Sequence, residues 1–147
     1  MLMTMKRIIF LALFFVLGHS YASAQDKHLG DSETPYLIKS VFFGGGSYFI
    51  DEEQEEGIYE FLNSVLLENY EIHIHSHTDN IGSRKFNEWL SQMRSGASYQ
   101  MLEDGGYLMD NVFIKDHGFD NPEFDNNTWE GRAKNRRVDI VLWPLPL

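Results

Sequence analysis

A chain of 147 residues with 12 basic and 22 acidic side chains, a formal net charge of −10, has room for one small domain. That balance argues against nucleic acid, whose phosphates demand a basic footprint, and against anionic lipid, yet leaves open one zwitterionic ligand recognised by a few local charges. The absence of cysteine excludes disulfides, thiolate metal sites, a cysteine nucleophile and a lipid-carrying cysteine.

Residues 1–24 read as a cleaved secretory signal. Lys6 and Arg7 form a positive n-region and Ile8 to Leu17 an apolar one, too short for the about 20 residues a membrane span needs. Ala22-Ser23-Ala24 is a small-residue cleavage site before Gln25. Cleavage removes two bases and no acids, moving the formal charge from −10 to −12. Residues 25–36 are a polar, flexible lead, and residues 37–147 are the domain.

Tyr36 to Phe43 reads as a first strand with Leu37, Val41 and Phe43 on one face, broken by Gly44-Gly45-Gly46-Ser47. A helix starts at Asp51 with an acidic first turn, and Ile58, Phe61, Leu62, Val65 and Leu66 form its apolar stripe. Ile72 to His75 alternates as a second strand and runs into the polar turn Thr78-Asp79-Asn80. Gly82-Ser83 opens a long helix that Asp104-Gly105-Gly106 stops. On that helix Phe86, Leu90, Met93, Ala97 and Met101 fall on a stripe expected to face the core, with the polar stripe Asn87, Ser91, Arg94 and Ser98 beside it. Asn111 to Asp116 is a third strand and His117 to Arg132 a long polar loop. Val138, Ile140 and Leu142 alternate in a fourth strand. The order β-α-β-α-β-β implies an α+β two-layer sandwich, helices packed on one mixed sheet. An arginine bordering the helix's buried stripe and an aspartate at the strand end feeding that helix suggest a small paired-charge site.

Thr78-Asp79, Gly82-Ser83, Asn87, Leu90-Ser91 and Arg94 match, in order and spacing, the pattern T-D-x-x-G-S-x-x-x-N-x-x-L-S-x-x-R. A second match follows in Asn121-Pro122, Asn127-Thr128 and Glu130 to Val138. In both the chain resembles the OmpA C-terminal-like domains, peptidoglycan-binding modules of Gram-negative envelopes. The resemblance covers Leu37 to Trp143. No second long apolar stretch follows the signal, so no transmembrane segment is expected after cleavage. The resemblance implies a periplasmic protein that holds peptidoglycan noncovalently through the meso-diaminopimelate of the stem peptide. Carried over by motif, Asp79 meets the ligand ammonium and Arg94 its carboxylate, a guanidinium fork pairing a carboxylate bidentately. The stem of Arg94 is expected to pack while its fork reaches outward. Thr78 belongs to the same turn, and Asn87 either bonds the ligand or tethers that turn. One of Arg136 and Arg137 faces inward to brace the pocket. The relatives commonly carry Asp or Asn after the first strand where this chain has Gly44, Gly45 and Gly46; backbone N–H groups at Gly46 and its neighbours can still approach a carboxylate.

Two further classes compete. His73, His75, His77 and Asp79 share one strand face as H-x-H-x-H-x-D, the pattern of a zinc-type site with hydrolytic activity. Alternate side chains on a flat strand stand ~6.5–7 Å apart, however, so they do not converge on one ion. The other class is a protein-interaction scaffold with a degraded pocket, binding envelope protein partners through Tyr99, Tyr107, Phe119 and Trp129. No Ser-His-Asp order, nucleophile elbow or phosphate loop is visible, so the expectation is a binding module without catalysis or cofactor.

Overall fold

The computed structural model describes residues 36–107, 110 and 112–146, so the signal and nearly all of the lead lie outside the described residues. Strands β1 (Leu37–Phe42), β2 (Tyr70–His77), β3 (Val112–Gly118) and β4 (Arg137–Pro144) form one sheet in the order β1-β4-β2-β3. The pairings of β1 with β4 and β4 with β2 are antiparallel, whereas β2 and β3 run parallel. A parallel neighbour needs a long crossover, which α2 (Arg84–Asp104) supplies. Helix α1 (Glu52–Asn63) connects β1 to β2, and α3 (Trp129–Asn135) precedes β4.

Caps fix the helix starts. Asp51 accepts the Gln54 N–H at 2.9 Å and Ser83 accepts the Phe86 N–H at 3.2 Å, each satisfying a donor the helix cannot use. Leu66, assigned by periodicity to the α1 stripe, lies beyond the helix end and is 69% exposed. Ile58 and Leu62 carry the packing, with Val41, Ile72, Ile74, Leu102, Val138, Ile140 and Leu142.

The buried face of α2 is not the apolar stripe. Asn87, Leu90, Ser91, Arg94, Ser95, Ser98, Met101 and Leu102 are buried, whereas Phe86 is exposed and Met93 and Ala97 are half-buried. Size and hydrogen bonding explain the rotation. Ser76 Oγ donates to the Ser91 carbonyl at 2.8 Å and Ser91 Oγ to the Ser76 carbonyl at 3.1 Å, stitching helix to strand. Gly118 N–H donates to Ser91 Oγ at 3.2 Å, and Ser98 Oγ bonds back to the Arg94 carbonyl. Small side chains with internal partners can be buried at close approach, where their polarity costs little.

The long polar loop before β4 contains α3, a seven-residue helix without an apolar stripe of its own. Thr128 caps it, accepting the Gly131 N–H at 2.9 Å. Asn135 fastens the preceding loop, accepting from Phe124 N–H and donating to the Phe124 carbonyl and Asn126 Oδ1.

Candidate functional site

Because β4 runs antiparallel to both neighbours, its first residues lie beside the ends of β1 and β2. Asp79 follows β2, the Gly44–Ser47 loop follows β1, and Arg136 precedes β4. Arg94 reaches the same corner from α2. The topology thus brings together groups that are far apart in sequence.

Arg94 is 0% exposed, and its fork does not reach outward as its sequence position implied. Nε donates to the Ser47 carbonyl at 2.9 Å, Nη1 to the His77 carbonyl at 3.1 Å and Nη2 to the Gly44 carbonyl at 3.1 Å. The ring of Phe43 lies 4.9 Å from the guanidinium carbon. Burial pulls the Arg94 pKa down to about 10, opposed by the carboxylate of Asp79 and assisted by Arg136. It remains a cation at neutral pH. The glycine loop therefore turns carbonyls, not N–H groups, toward Arg94, and Gly46 makes the turn at φ +69°.

Asp79 is 7% exposed. Its Oδ1 accepts the Ile81 N–H at 3.1 Å, and its Oδ2 accepts from Arg136 Nη1 at 3.0 Å. Arg136 also donates from Nε to the Phe43 carbonyl at 3.0 Å. Arg136 is thus the arginine that faces the corner. Arg137 does not: one step along a strand reverses the side chain. It lies on the opposite face, paired with Asp139 through both carboxylate oxygens and with Glu123.

Asn87 is buried and donates to the Ile81 and Ser83 carbonyls at 3.0 and 3.3 Å, tethering the turn after Asp79. Thr78 donates its N–H to the Gly118 carbonyl at 2.7 Å. Thr78 Oγ1 and Asn87 Oδ1 have no hydrogen-bond partner among the described residues. A shallow groove lined by Phe42, Phe43, Ala133, Lys134 and Arg136 adjoins this corner, with Arg136 as the shared wall.

The histidines share one face, as alternation required, and it is the face away from the helices. His73 and His75 have ring centroids 6.1 Å apart. His117, which the sequence placed in a loop, joins them from β3, stacked on His77 at 4.6 Å and within 3.2 Å of His75 Nδ1. Burial, aided by neighbouring cations, depresses the pKa of His75 to about 4 and of His77 to about 2. Asp139 stands 3.6 Å from His77 and is also paired with Arg137. Asp79 is bonded to Arg136 rather than gathered with the histidines, and among the described residues no His, Asp and Glu group is arranged to hold a metal ion.

Of the aromatics assigned to the surface, only Trp129 is well exposed. Tyr99 and Tyr107 pack against the core and Phe119 lies beneath the Arg84 guanidinium. Other exposed rings are Phe42, Tyr48, Phe49, Phe86, Trp89 and Phe113. Apolarity at helical spacing concealed Phe86, and nothing in the sequence marked Tyr48, Phe49 or Trp89 as exposed.

Residues 42–136 match the sequence profile of the OmpA family. The outer-membrane lipoprotein YfiB of Pseudomonas aeruginosa is 26% identical over 107 residues, 72% of this chain and 64% of that protein. The peptidoglycan-binding protein ArfA of Mycobacterium tuberculosis is 38% identical over 89 residues, 57% of this chain and 27% of that one. The chain therefore spans less than two thirds of either relative. The crystal structure of the peptidoglycan-associated lipoprotein from Burkholderia pseudomallei superposes with a TM-score of 0.62 at 25% identity, covering 71% of this chain and 89% of the other. Among the described residues no helix is long and apolar enough to cross a membrane.

Proposed function

Since this chain belongs to the OmpA family, we propose that it is a noncovalent peptidoglycan-binding module of the cell envelope, working by capture rather than catalysis. The ligand is the diaminopimelate of the stem peptide, held at its free amino-acid end. The observation that carries this reading is the convergence of Asp79, Arg94 and Arg136 on the corner formed by the ends of β1 and β2.

An ionised carboxylate has about four acceptor sites, and Asp79 uses two of them, on Ile81 and Arg136. The others are available to an ammonium. Arg94 uses three of its five donors on carbonyls. Arg94 is buried behind the corner, so it acts through its charge, and with Arg136 it makes the positive side that meets the carboxylate. Thr78 Oγ1 and Asn87 Oδ1, buried and without a hydrogen-bond partner among the described residues, are further acceptors at the same turn. The wall-binding description of ArfA and the envelope names of the other relatives agree with this reading. Export follows from the leader, with cleavage after Ala24 and residence in the periplasm against the wall or outer membrane.

Cosedimentation of the purified domain with peptidoglycan sacculi tests the reading. Wild type is expected to pellet with sacculi and to be released by free diaminopimelate. Protein that stays in the supernatant at every sacculus concentration refutes it.

A further inference from the structure

Tyr48, Phe86 and Trp89 form an aromatic cluster that the core does not use, Trp89 45% exposed, and Phe49, next in sequence to Tyr48, is 75% exposed. Exposed apolar side chains scattered singly need no explanation, but a contiguous group does. The Tyr48, Trp89 and Phe86 rings are ordered against one another. Trp89 meets Tyr48 edge-on at 6.2 Å and 89°, and Phe86 at 5.8 Å and 36°. Phe49 N–H donates to Ser47 Oγ at 3.1 Å, which fixes the segment behind them. Gly82, at φ +100°, admits the Phe86 ring, since a Cβ there would approach it to 3.0 Å.

The cluster is continuous with the charged corner. Ser47 gives its carbonyl to Arg94 and its hydroxyl to Phe49, so one residue walls both. Trp89 precedes Arg94 by five positions on α2, roughly 7.5 Å along the axis. A few residues of extended stem peptide, at about 3.3–3.6 Å each, cover a comparable distance. Trp89 lies about 140° around the helix from buried Arg94, so the link between corner and rings is the Ser47-Tyr48 segment rather than the helix face.

We propose that Tyr48 and Trp89, flanked by Phe49 and Phe86, form a stacking platform for the amino-sugar rings of the glycan strand that bears the stem. This deepens the wall-binding reading and rests on it. A pyranose ring presents an apolar C–H face with hydroxyls at its edge, and the negative face of an aromatic ring attracts such C–H groups. The strand's sugar faces are uncharged and meet no repulsion from this acidic chain, whereas anionic lipid would.

Calorimetry with three soluble probes tests the platform: a diaminopimelate-containing tripeptide, the same tripeptide on its disaccharide, and peptide-free glycan oligomers. Wild type is expected to bind the disaccharide form about tenfold more tightly than the bare tripeptide. Trp89→Ala with Tyr48→Ala should erase that preference while leaving tripeptide affinity and circular dichroism unchanged. Trp89→Leu, which keeps apolar volume without the ring, should do the same. Equal affinity of wild type for both peptide forms overturns the platform and leaves the pocket standing. Binding of peptide-free oligomers, lost in the double variant but without any tripeptide binding, overturns the pocket and supports the platform. Failure of all three probes, or Trp89-dependent self-association in sedimentation, overturns the platform.

Discussion

Arg136 holds the carboxylate of Asp79 at 3.0 Å across 57 positions of sequence, and it does so from the last residue before β4. The pair ties the start of one strand to the end of its antiparallel neighbour. It also orients the group that the proposed function gives to the ligand ammonium. Asp79→Asn keeps the Ile81 N–H bond while removing the charge. Sacculus binding is expected to weaken by roughly 2–5 kcal/mol, with one ligand charge left unmatched in a partly desolvated site. An unchanged binding isotherm for Asp79→Asn would remove this residue from the site.

Arg94 presents a different case because its guanidinium is buried. Truncation leaves the carbonyls of Gly44, His77 and Ser47 without their donor and opens a void against Phe43. Arg94→Ala is expected to cost stability on the order of 3–5 kcal/mol, the scale of breaking a buried charged network. Arg94→Lys should recover only part of it, since a point charge cannot serve three divergent acceptors. Urea unfolding of both variants measures the loss. A binding defect in Arg94→Ala is interpretable only where unfolding curves show the variant folded. Loss of less than about 1 kcal/mol would mean that the carbonyls find other partners.

The sequence of the four strands along the chain and both long helices were legible because periodicity tracks backbone geometry, whereas the order of the strands in the sheet was not. Burial on α2 was not. Hydrophobic pattern assigns the core face by apolarity, yet here the buried face is set by close helix–strand approach, which favours Ser91, Ser95 and Ser98 over Phe86. Helix α3 escaped notice because seven residues around a glycine have no stripe to read. The choice between Arg136 and Arg137 depended on where β4 begins, since one residue decides which face each takes. The motif brought Asp79, Asn87 and Arg94 into one site, but the orientation of the Arg94 fork depends on carbonyls supplied by the Gly44–Ser47 loop, and no local pattern encodes that.

The serine contact makes its own prediction. Ser91 is buried, and its hydroxyl serves both Ser76 and Gly118. Ser91→Leu forces added volume into a hydrogen-bonded helix–strand contact and strands two backbone groups. A loss of about 1–3 kcal/mol from overpacking is expected, before the unpaired groups add their share. Ser91→Ala removes only the hydrogen bonds and should cost less. If leucine is tolerated as well as alanine in urea unfolding, the approach is looser than described.

The histidine face predicts an acid-sensitive stability. His75 and His77 have folded pKa values near 4 and 2, below the ordinary 6.5, so the unfolded chain binds more protons in this range. Stability is therefore full above about pH 6.5 and falls as pH drops toward 4, with a slope approaching ~1.4 kcal/mol per pH unit for each histidine. His73, His117, Lys115 and Arg137 face these rings and oppose the charged form, while Asp139 is engaged by Arg137. His77→Gln should lower the slope between pH 6.5 and 4 by the share of one histidine, leaving that of His75. The unfolding temperature and sacculus binding should be unchanged by EDTA, because these rings are placed to stack rather than to ligate. A metal-dependent unfolding temperature would contradict that.

The glycine loop offers a gain of function. A Cβ at Gly45 meets nothing within 4 Å, and Gly45, unlike Gly46, does not sit at positive φ. A side chain there enters open space without backbone strain. The neighbouring Gly44 and Ser47 carbonyls already face Arg94, so a carboxylate at position 45 lies near the charged corner and adds an acceptor for the ligand ammonium. Gly45→Asp is expected to tighten sacculus binding several-fold, on the scale of one partly exposed ion pair of up to about 1 kcal/mol. Removing a glycine from a loop also narrows the unfolded ensemble, so stability should hold or rise by about 0.4–1 kcal/mol. Gly46→Asp, forced to φ +69°, should lose stability instead. The pair separates pocket chemistry from backbone strain. If Gly45→Asp is as stable as wild type but binds sacculi more weakly, the loop presents its side chains to the ligand carboxylate, and the assignment of ammonium and carboxylate ends is reversed.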